Sequence, residues 1–268
     1  LALSVPPMVF LPRSYTEALG LEGALVGWVF LAARLFDVLI NPTIGGLQDR
    51  TRTSLGRRRA WLIGITPVVM VAIYVAFIAL PVGAPAVLLG FAVLFFYFSF
   101  AAAMIAHLGW AGEVRPDYNG RTQVLGVVQI ASTAGQVVAM ALPAIVQSSG
   151  MGDFADGVRA MGWGIIVALP LCVAACVLSV PERPVTEGQH KAGFREAMAA
   201  VRQSAPLRAI LVPDFLIGAS QGISGTLFLF FAVQVLGLNR EAPVLLLIYF
   251  VAGMIGAPLW MLLGQRIG

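Results

Sequence analysis

The run Ala33-Arg34-Leu35-Phe36-Asp37-Val38-Leu39-Ile40-Asn41-Pro42, followed by Asp49-Arg50-Thr51-Arg52-Thr53-Ser54-Leu55-Gly56-Arg57-Arg58-Arg59, decides how the chain is built. Its first part places two charges inside an apolar segment long enough to cross a bilayer. A charge in hydrocarbon costs several kcal/mol unless it is paired or faces a cavity, so a retained pair marks a functional position. Helical spacing of three and four puts Arg34, Asp37 and Asn41 on one face, which must look into protein or water. The second part, dense in arginine, marks the side of the membrane on which that segment ends.

Composition agrees with a membrane setting. The 268 residues are 59% hydrophobic and 11% charged, with a mean hydropathy of +0.89, far more apolar than a soluble domain. The net charge of +4 does not indicate nucleic acid, because the basic residues sit between apolar stretches and do not line one soluble face. Stretches of about 20 apolar residues, divided at Gly, Pro and charge clusters, predict spans near 1–12, 21–48, 60–80, 86–108, 122–146, 158–180, 209–236 and 243–264. Three connections hold most of the basic residues: Arg50, Arg52, Arg57, Arg58 and Arg59; Arg115 and Arg121; and Arg183, Lys191, Arg195, Arg202 and Arg208. They all fall on one side, which the positive-inside rule makes cytoplasmic. The reading is a multi-pass protein of the cell inner membrane with a cytoplasmic central loop.

That central connection is the one candidate boundary. It divides the chain into 1–180, six spans; 181–208, a loop in which Phe194, Met198 and Val201 form an apolar stripe against Arg195, Glu196 and Arg202, as in a short helix on the membrane surface; and 209–268, two further spans. Cys172 and Cys176 lie four residues apart inside the sixth span with no His or acidic neighbour, and read as packing residues. A phosphate-binding loop, an HExxH pair and a nucleophile elbow are all missing, so an enzyme is disfavoured and no cofactor is expected.

Here the residues resemble a family. The stretch from Arg34 through Asp37, Asn41, Pro42 and Gly45 to Asp49, Arg50 and Arg52, then Gly56-Arg57-Arg58-Arg59-Ala60-Trp61, is similar to the second helix and following loop of the glycoside/pentoside/hexuronide:cation symporters, the melibiose permease-like branch of the major facilitator superfamily. Glu113-Val114-Arg115-Pro116-Asp117-Tyr118-Asn119-Gly120-Arg121 resembles the acidic-and-arginine loop after the fourth helix. The resemblance implies an all-α, major facilitator-type bundle of two six-helix halves, of which this sequence covers about eight of twelve transmembrane helices and lacks the last ones. A faint internal repeat agrees: Arg50 follows Pro42, and Arg266 follows Pro258, each by eight residues.

The resemblance also implies roles. Asp37 matches a family carboxylate at the coupling-cation site, with Arg34 beside it; a carboxylate in a hydrated crevice can bind Na⁺ or take up a proton. Asn41 stands where the family pattern has a second acidic residue, which shifts the expectation from Na⁺ toward H⁺; with Na⁺, Asp37 and Asn41 would be the metal ligands. In the fifth span Gln129, Ser132, Thr133 and Gln136 make a polar stripe that is either interhelical glue or the wall of a solute cavity. Gln129 aligns with a sugar-contacting arginine and Met104 with a sugar-binding aspartate, so a charged-site galactoside is not implied. Tyr97, Ser99, His107, Gln221 and Asp214 are further polar residues within or near spans, of which Tyr97 and Gln221 are assigned to the solute. Asp49, Arg50, Arg52, Gly56 and Arg57 resemble the superfamily's cytoplasmic loop signature; as a gating latch, Asp49, Arg50 and Arg57 with Glu113 and Arg121 would form ion pairs that hold the cytoplasmic side closed.

The resulting expectation is a secondary transporter of a small polar solute, a sugar or glycoside, coupled to H⁺ or Na⁺ and working by alternating access. The alternatives are a carrier of lysolipid or another amphiphile, and a non-transporting membrane sensor on the same scaffold. Partners are the solute and the lipid bilayer; nucleic acid is excluded, and the oligomeric state is open.

Overall fold

Hydrocarbon offers no hydrogen bonds to a bare backbone, so a chain this apolar must satisfy its peptide groups within each segment. A computed structural model of the protein describes residues 6–115, 117–182, 199, 201–238 and, between 241 and 256, all but 243, 246, 250 and 254. Among the described residues there are helices and connections and no strand. The helices are α1 (Pro6–Glu17), α2 (Gly23–Arg50), α3 (Arg57–Tyr74), α4 (Ala86–Val114), α5 (Tyr118–Ser148), α6 (Phe154–Ser179) and α7 (Ala205–Phe230). One π-helical turn, Val75–Ala79, ends α3 and another, Phe231–Val235, ends α7.

Among the described residues, α2, α3 with its π-turn, α4, most of α5, and α6 are long and apolar enough to cross a membrane. They match the expected second to sixth spans, with ends that differ by up to six residues. The first helix departs from the expected 1–12: it runs on to Glu17, because Arg13 pairs with Glu17 one turn later at 2.9 Å and lies 4.3 Å from the centre of the Phe154 ring. The expected seventh span, 209–236, overlaps α7 and its π-turn, but the helix starts four residues earlier, at Ala205. Much of the eighth, and Phe194, Arg195, Glu196 and Met198 of the surface helix, lie outside the described residues.

Helix starts follow local capping chemistry. Asp117 accepts from the Gly120 amide to begin α5, Asp153 and Asp156 form a reciprocal capping box at α6, and Ser204 accepts from the Leu207 amide at α7. Every helix except α4 contains an interior proline, which membrane helices tolerate because neighbours can satisfy the freed carbonyls.

The uninterrupted helix, α4, is the centre. It packs on α2, α3 and α5, while α6 packs on α3 and α5, and α1 touches α2, α6 and α7. Leu89, Ala92, Val93, Phe96 and Tyr97 of α4 are buried in the main core with Ile73 and Ala76 of the α3 arm. The Tyr15 hydroxyl of α1 donates to the Ala76 carbonyl at 2.7 Å and so satisfies an oxygen inside the first π-turn. Two glycines of α6 set the closest crossings: a Cβ at Gly157 would lie 2.8 Å from Cα of Pro143 on α5, and one at Gly162 would lie 2.7 Å from Cβ of Phe77. Small residues at such crossings let membrane helices gain van der Waals contact.

Replacing Gly157 by Val should therefore wedge α5 from α6 and cost about 1–3 kcal/mol, seen as a lower melting temperature in detergent. Gly64→Ala, with nothing near the added carbon, should leave the melting temperature unchanged.

Candidate functional site

Two polar constellations stand out, one within the span of α2 and one at the arginine-rich end of the bundle. In the first, an Arg34 Nη1 lies 3.8 Å from Asp37 Oδ2, one turn along the same helix. The Arg34 guanidinium also sits 4.8 Å from the centre of the Tyr97 ring on α4. Tyr97 is 4% exposed and is held edge-on against Phe30 and Phe96, so its ring is a fixed platform for the cation. Asp37 Oδ1 and Asn41 Oδ1, one turn apart, are buried and accept no hydrogen bond among the described residues. Buried oxygens are ordinarily paired, and such exceptions mark places where a proton, an ion or a polar ligand is accommodated. The donor set, one carboxylate and one amide oxygen, suits a hard monovalent cation or a proton and has no soft or imidazole ligand for a transition metal.

The polar residues of α5 do not act as one stripe. Gln129 is exposed, whereas Ser132 and Gln136 are buried. The Gln136 amide donates to the Ser132 hydroxyl at 3.4 Å, and the Thr133 hydroxyl donates to the Gln129 carbonyl at 3.0 Å within the same helix. Ser99 likewise bonds its own helix, donating to the Phe95 carbonyl at 2.8 Å. Met104 and His107 are half-buried on α4. The side chains of Gln221 and Asp214 lie outside the described residues.

The second constellation gathers residues from four parts of the chain. Arg57 donates to Glu113 at 2.7 Å and lies 3.6 Å from Asp49. Arg58, 8% exposed, is the hub: it reaches Asp49 at 2.8 Å, Glu113 at 3.2 Å and the Gln48 side-chain oxygen at 3.2 Å. Gln48 in turn donates to the Ala102 carbonyl of α4 at 2.7 Å. Glu182, just beyond α6, accepts from the backbone amides of Arg58 at 2.7 Å and Arg59 at 2.9 Å. It thereby caps α3, whose own N-cap is Gly56 and supplies no side chain. Gly56 has φ +100°, and a Cβ there would collide with a Glu182 carboxylate oxygen, so both the backbone and the cap require glycine.

Of the residues assigned to gating, Asp49, Arg57 and Glu113 are thus brought together. Arg50 is exposed and makes no ion pair among the described residues, and Arg121 donates to the Gly112 carbonyl at 2.9 Å in place of a carboxylate. Sequence reasoning missed Arg58 as the hub, together with Gln48 and Glu182. Gln48 carried a signal, since it lies seven residues after Asn41 and so on the same face of α2; Glu182 carried none. All the described partners belong to the first six helices and the residues just after them.

A model of the family described as MFS/sugar transport protein matches residues 2–268. The chain belongs to that family. Family membership points to a carrier and away from an enzyme. Similar curated proteins carry symporter names. An "Uncharacterized symporter YnaJ" of Bacillus subtilis is 43% identical over 60 residues, 22% of this chain and 13% of the relative. An "Inner membrane symporter YicJ" of Escherichia coli is 38% identical over 56 residues, 21% of this chain and 12% of the relative. A "Putative glycoside/cation symporter YagG" of the same organism is 39% identical over 56 residues, again 21% and 12%. In these matches the chain spans about an eighth of the length of each relative.

Two measurements follow from this family member's geometry. Glu113→Gln should lower stability by about 1.5–3 kcal/mol, the range for a hydrogen bond to a charged group, whereas Arg121→Gln should stay within about 0.5 kcal/mol; thermal unfolding of both variants checks this. In α5, Gln136→Leu should lower the melting temperature because it breaks a buried contact, and Gln129→Leu should not. An affinity change confined to Gln129→Leu would place that residue on the solute path.

Proposed function

We propose that this protein is a secondary transporter that moves a small polar solute, a sugar or glycoside, by alternating access and couples the movement to H⁺ or Na⁺. The single observation that carries the reading is the pair of buried, unpartnered oxygens of Asp37 and Asn41 beside an arginine held on an aromatic ring. Family membership over the whole chain and the symporter names of the partial relatives support it.

Asp37 is the coupling residue in this reading. With the carboxylate ionised, Arg34 is attracted along α2 toward it; once a cation or proton occupies the Asp37 and Asn41 oxygens, the attraction weakens and the Arg34 donors become available to a solute hydroxyl above Tyr97. Solute and ion then favour each other's binding, which is the requirement for coupled transport. Asn41 contributes an oxygen without charge, so H⁺ is the preferred ion and Na⁺ the lesser one. Gln129, Thr133 and Gln221 extend the solute path, and the buried Gln136 supports the helix behind it. Residues 1–180 and 209–268 contribute to the two halves that rock about it, joined by 181–208, and the arginine-rich loops face the cytoplasm of an inner-membrane protein. The Asp49, Arg57, Arg58 and Glu113 cluster braces the cytoplasmic end of the first half.

Transport by the full-length protein in vesicles tests this. Asp37→Asn should abolish ion-driven accumulation while downhill solute movement persists; unaltered uphill transport by that variant overturns the assignment. Wild-type uptake should follow an imposed proton gradient more than a Na⁺ gradient, and Asn41→Asp should raise the dependence on Na⁺.

A further inference from the structure

On the Arg59 side of the tight crossing at Gly162 and Phe77, α3 and α6 line a cleft of about 450 Å³ open to the outside of the bundle. Ile63, Pro67 and Met70 of α3 line one wall, and Pro170, Val173 and Val177 of α6 line the other. The polar group of the lining, the Thr66 hydroxyl, already donates to the Leu62 carbonyl at 2.6 Å. A sugar would find nothing there to replace its hydration; hydrocarbon would. From Ile63 to Met70 the helix rises about 10 Å, which fits within the roughly 15 Å of one leaflet. Exposed Val167, Leu171 and Leu178 continue the apolar rim, so the cleft opens onto the bilayer.

Arg59 stands at the mouth. Its guanidinium donates to the Val177 carbonyl, on the same residue that lines the cleft, and lies 6.0 Å from the centre of the Trp110 ring. Asp49 and Glu113 are engaged by Arg57 and Arg58, and Glu182 places its two oxygens on backbone amides. Among the described residues Arg59 makes no ion pair. Two further donors nearby, Arg59 Nε and the indole N–H of Trp110, itself 2% exposed, are buried without an acceptor. An apolar slot that fits within one leaflet thus ends at a cation without an ion pair and with spare donors.

We propose that this cleft holds an acyl chain of an anionic phospholipid from the leaflet on the arginine-rich side, with the lipid phosphate on Arg59. The site is separate from the α2 constellation and does not depend on the transport reading.

Native mass spectrometry of the full-length protein after exchange with phosphatidylglycerol or phosphatidylcholine of identical chains tests it. Wild type should retain phosphatidylglycerol about fivefold better, the preference expected for one favourable basic contact. Arg59→Gln should erase the preference, Arg59→Lys should preserve it, and Ala174→Phe, which fills the cleft, should lower retention of both lipids. Arg50→Gln, a charge change away from the cleft, should leave retention as in wild type. Equal retention of the two lipids by wild type overturns the proposal. So does a preference that survives Arg59→Gln, or retention unchanged by Ala174→Phe. Displacement of the lipid by millimolar glycerol phosphate would also overturn it, since it would show a phosphate site that makes no use of the chain. Should Arg59→Gln not fold, Arg59→Lys and Ala174→Phe still decide.

Discussion

A guanidinium kept almost entirely out of water must have its charge and its donors answered by protein, and the end of this helix bundle is organised around that requirement at Arg58. Asp49 and Gln48 answer from α2, Glu113 from α4, and Glu182 binds the backbone amide of the same residue from beyond α6. The fit leaves no slack on the fourth side, where a Cβ at Gly109 would come within 2.8 Å of the guanidinium carbon. Leaving a buried charge without its partner is costly, so the relative positions of α2, α3, α4 and the α6 exit are mutually constrained. Helices in lipid gain little from hydrophobic attraction to one another, and this polar cluster supplies orientation that the apolar surfaces do not.

The mid-span constellation follows a different logic. Arg34 is answered by an aromatic face and a carboxylate at a distance, and the carboxylate keeps an oxygen free. At the arginine-rich end Arg58 has its charge and donors answered by partners and is therefore fixed. The α2 site is under-satisfied, which leaves it able to take up something else.

Much of this was legible in the sequence, for identifiable reasons. Hydropathy alone locates the second to sixth spans, because a bilayer imposes its thickness on any helix that crosses it. The ends are less legible, since helices run on into polar flanks: α4 continues to Val114 and carries Glu113 to Arg57 and Arg58. Arg34, Asp37 and Asn41 are grouped by spacing within one helix, whereas Tyr97 beneath Arg34 requires the packing of α4 on α2. Gln129 and Gln136 share a face yet differ in burial, because α5 passes from an open to a packed environment along its length. Arg57, Arg58 and Arg59 look equivalent as letters. Their 100° separations in a helix send one to Glu113, one into the hub and one toward α6.

The Glu182 cap also bears on how the molecule is made. The carboxylate closes the N-terminus of α3 from 124 residues further along the chain. A ribosome delivers the chain from its N-terminus, so the second, third and fourth helices are complete long before their cap exists. Until α6 has been threaded, the α3 amides at Arg58 and Arg59 have only solvent or headgroups to meet them. The final residues of the sixth helix region therefore act as a checkpoint of assembly, joining the last part of the first six helices to be synthesised to a loop laid down near the beginning.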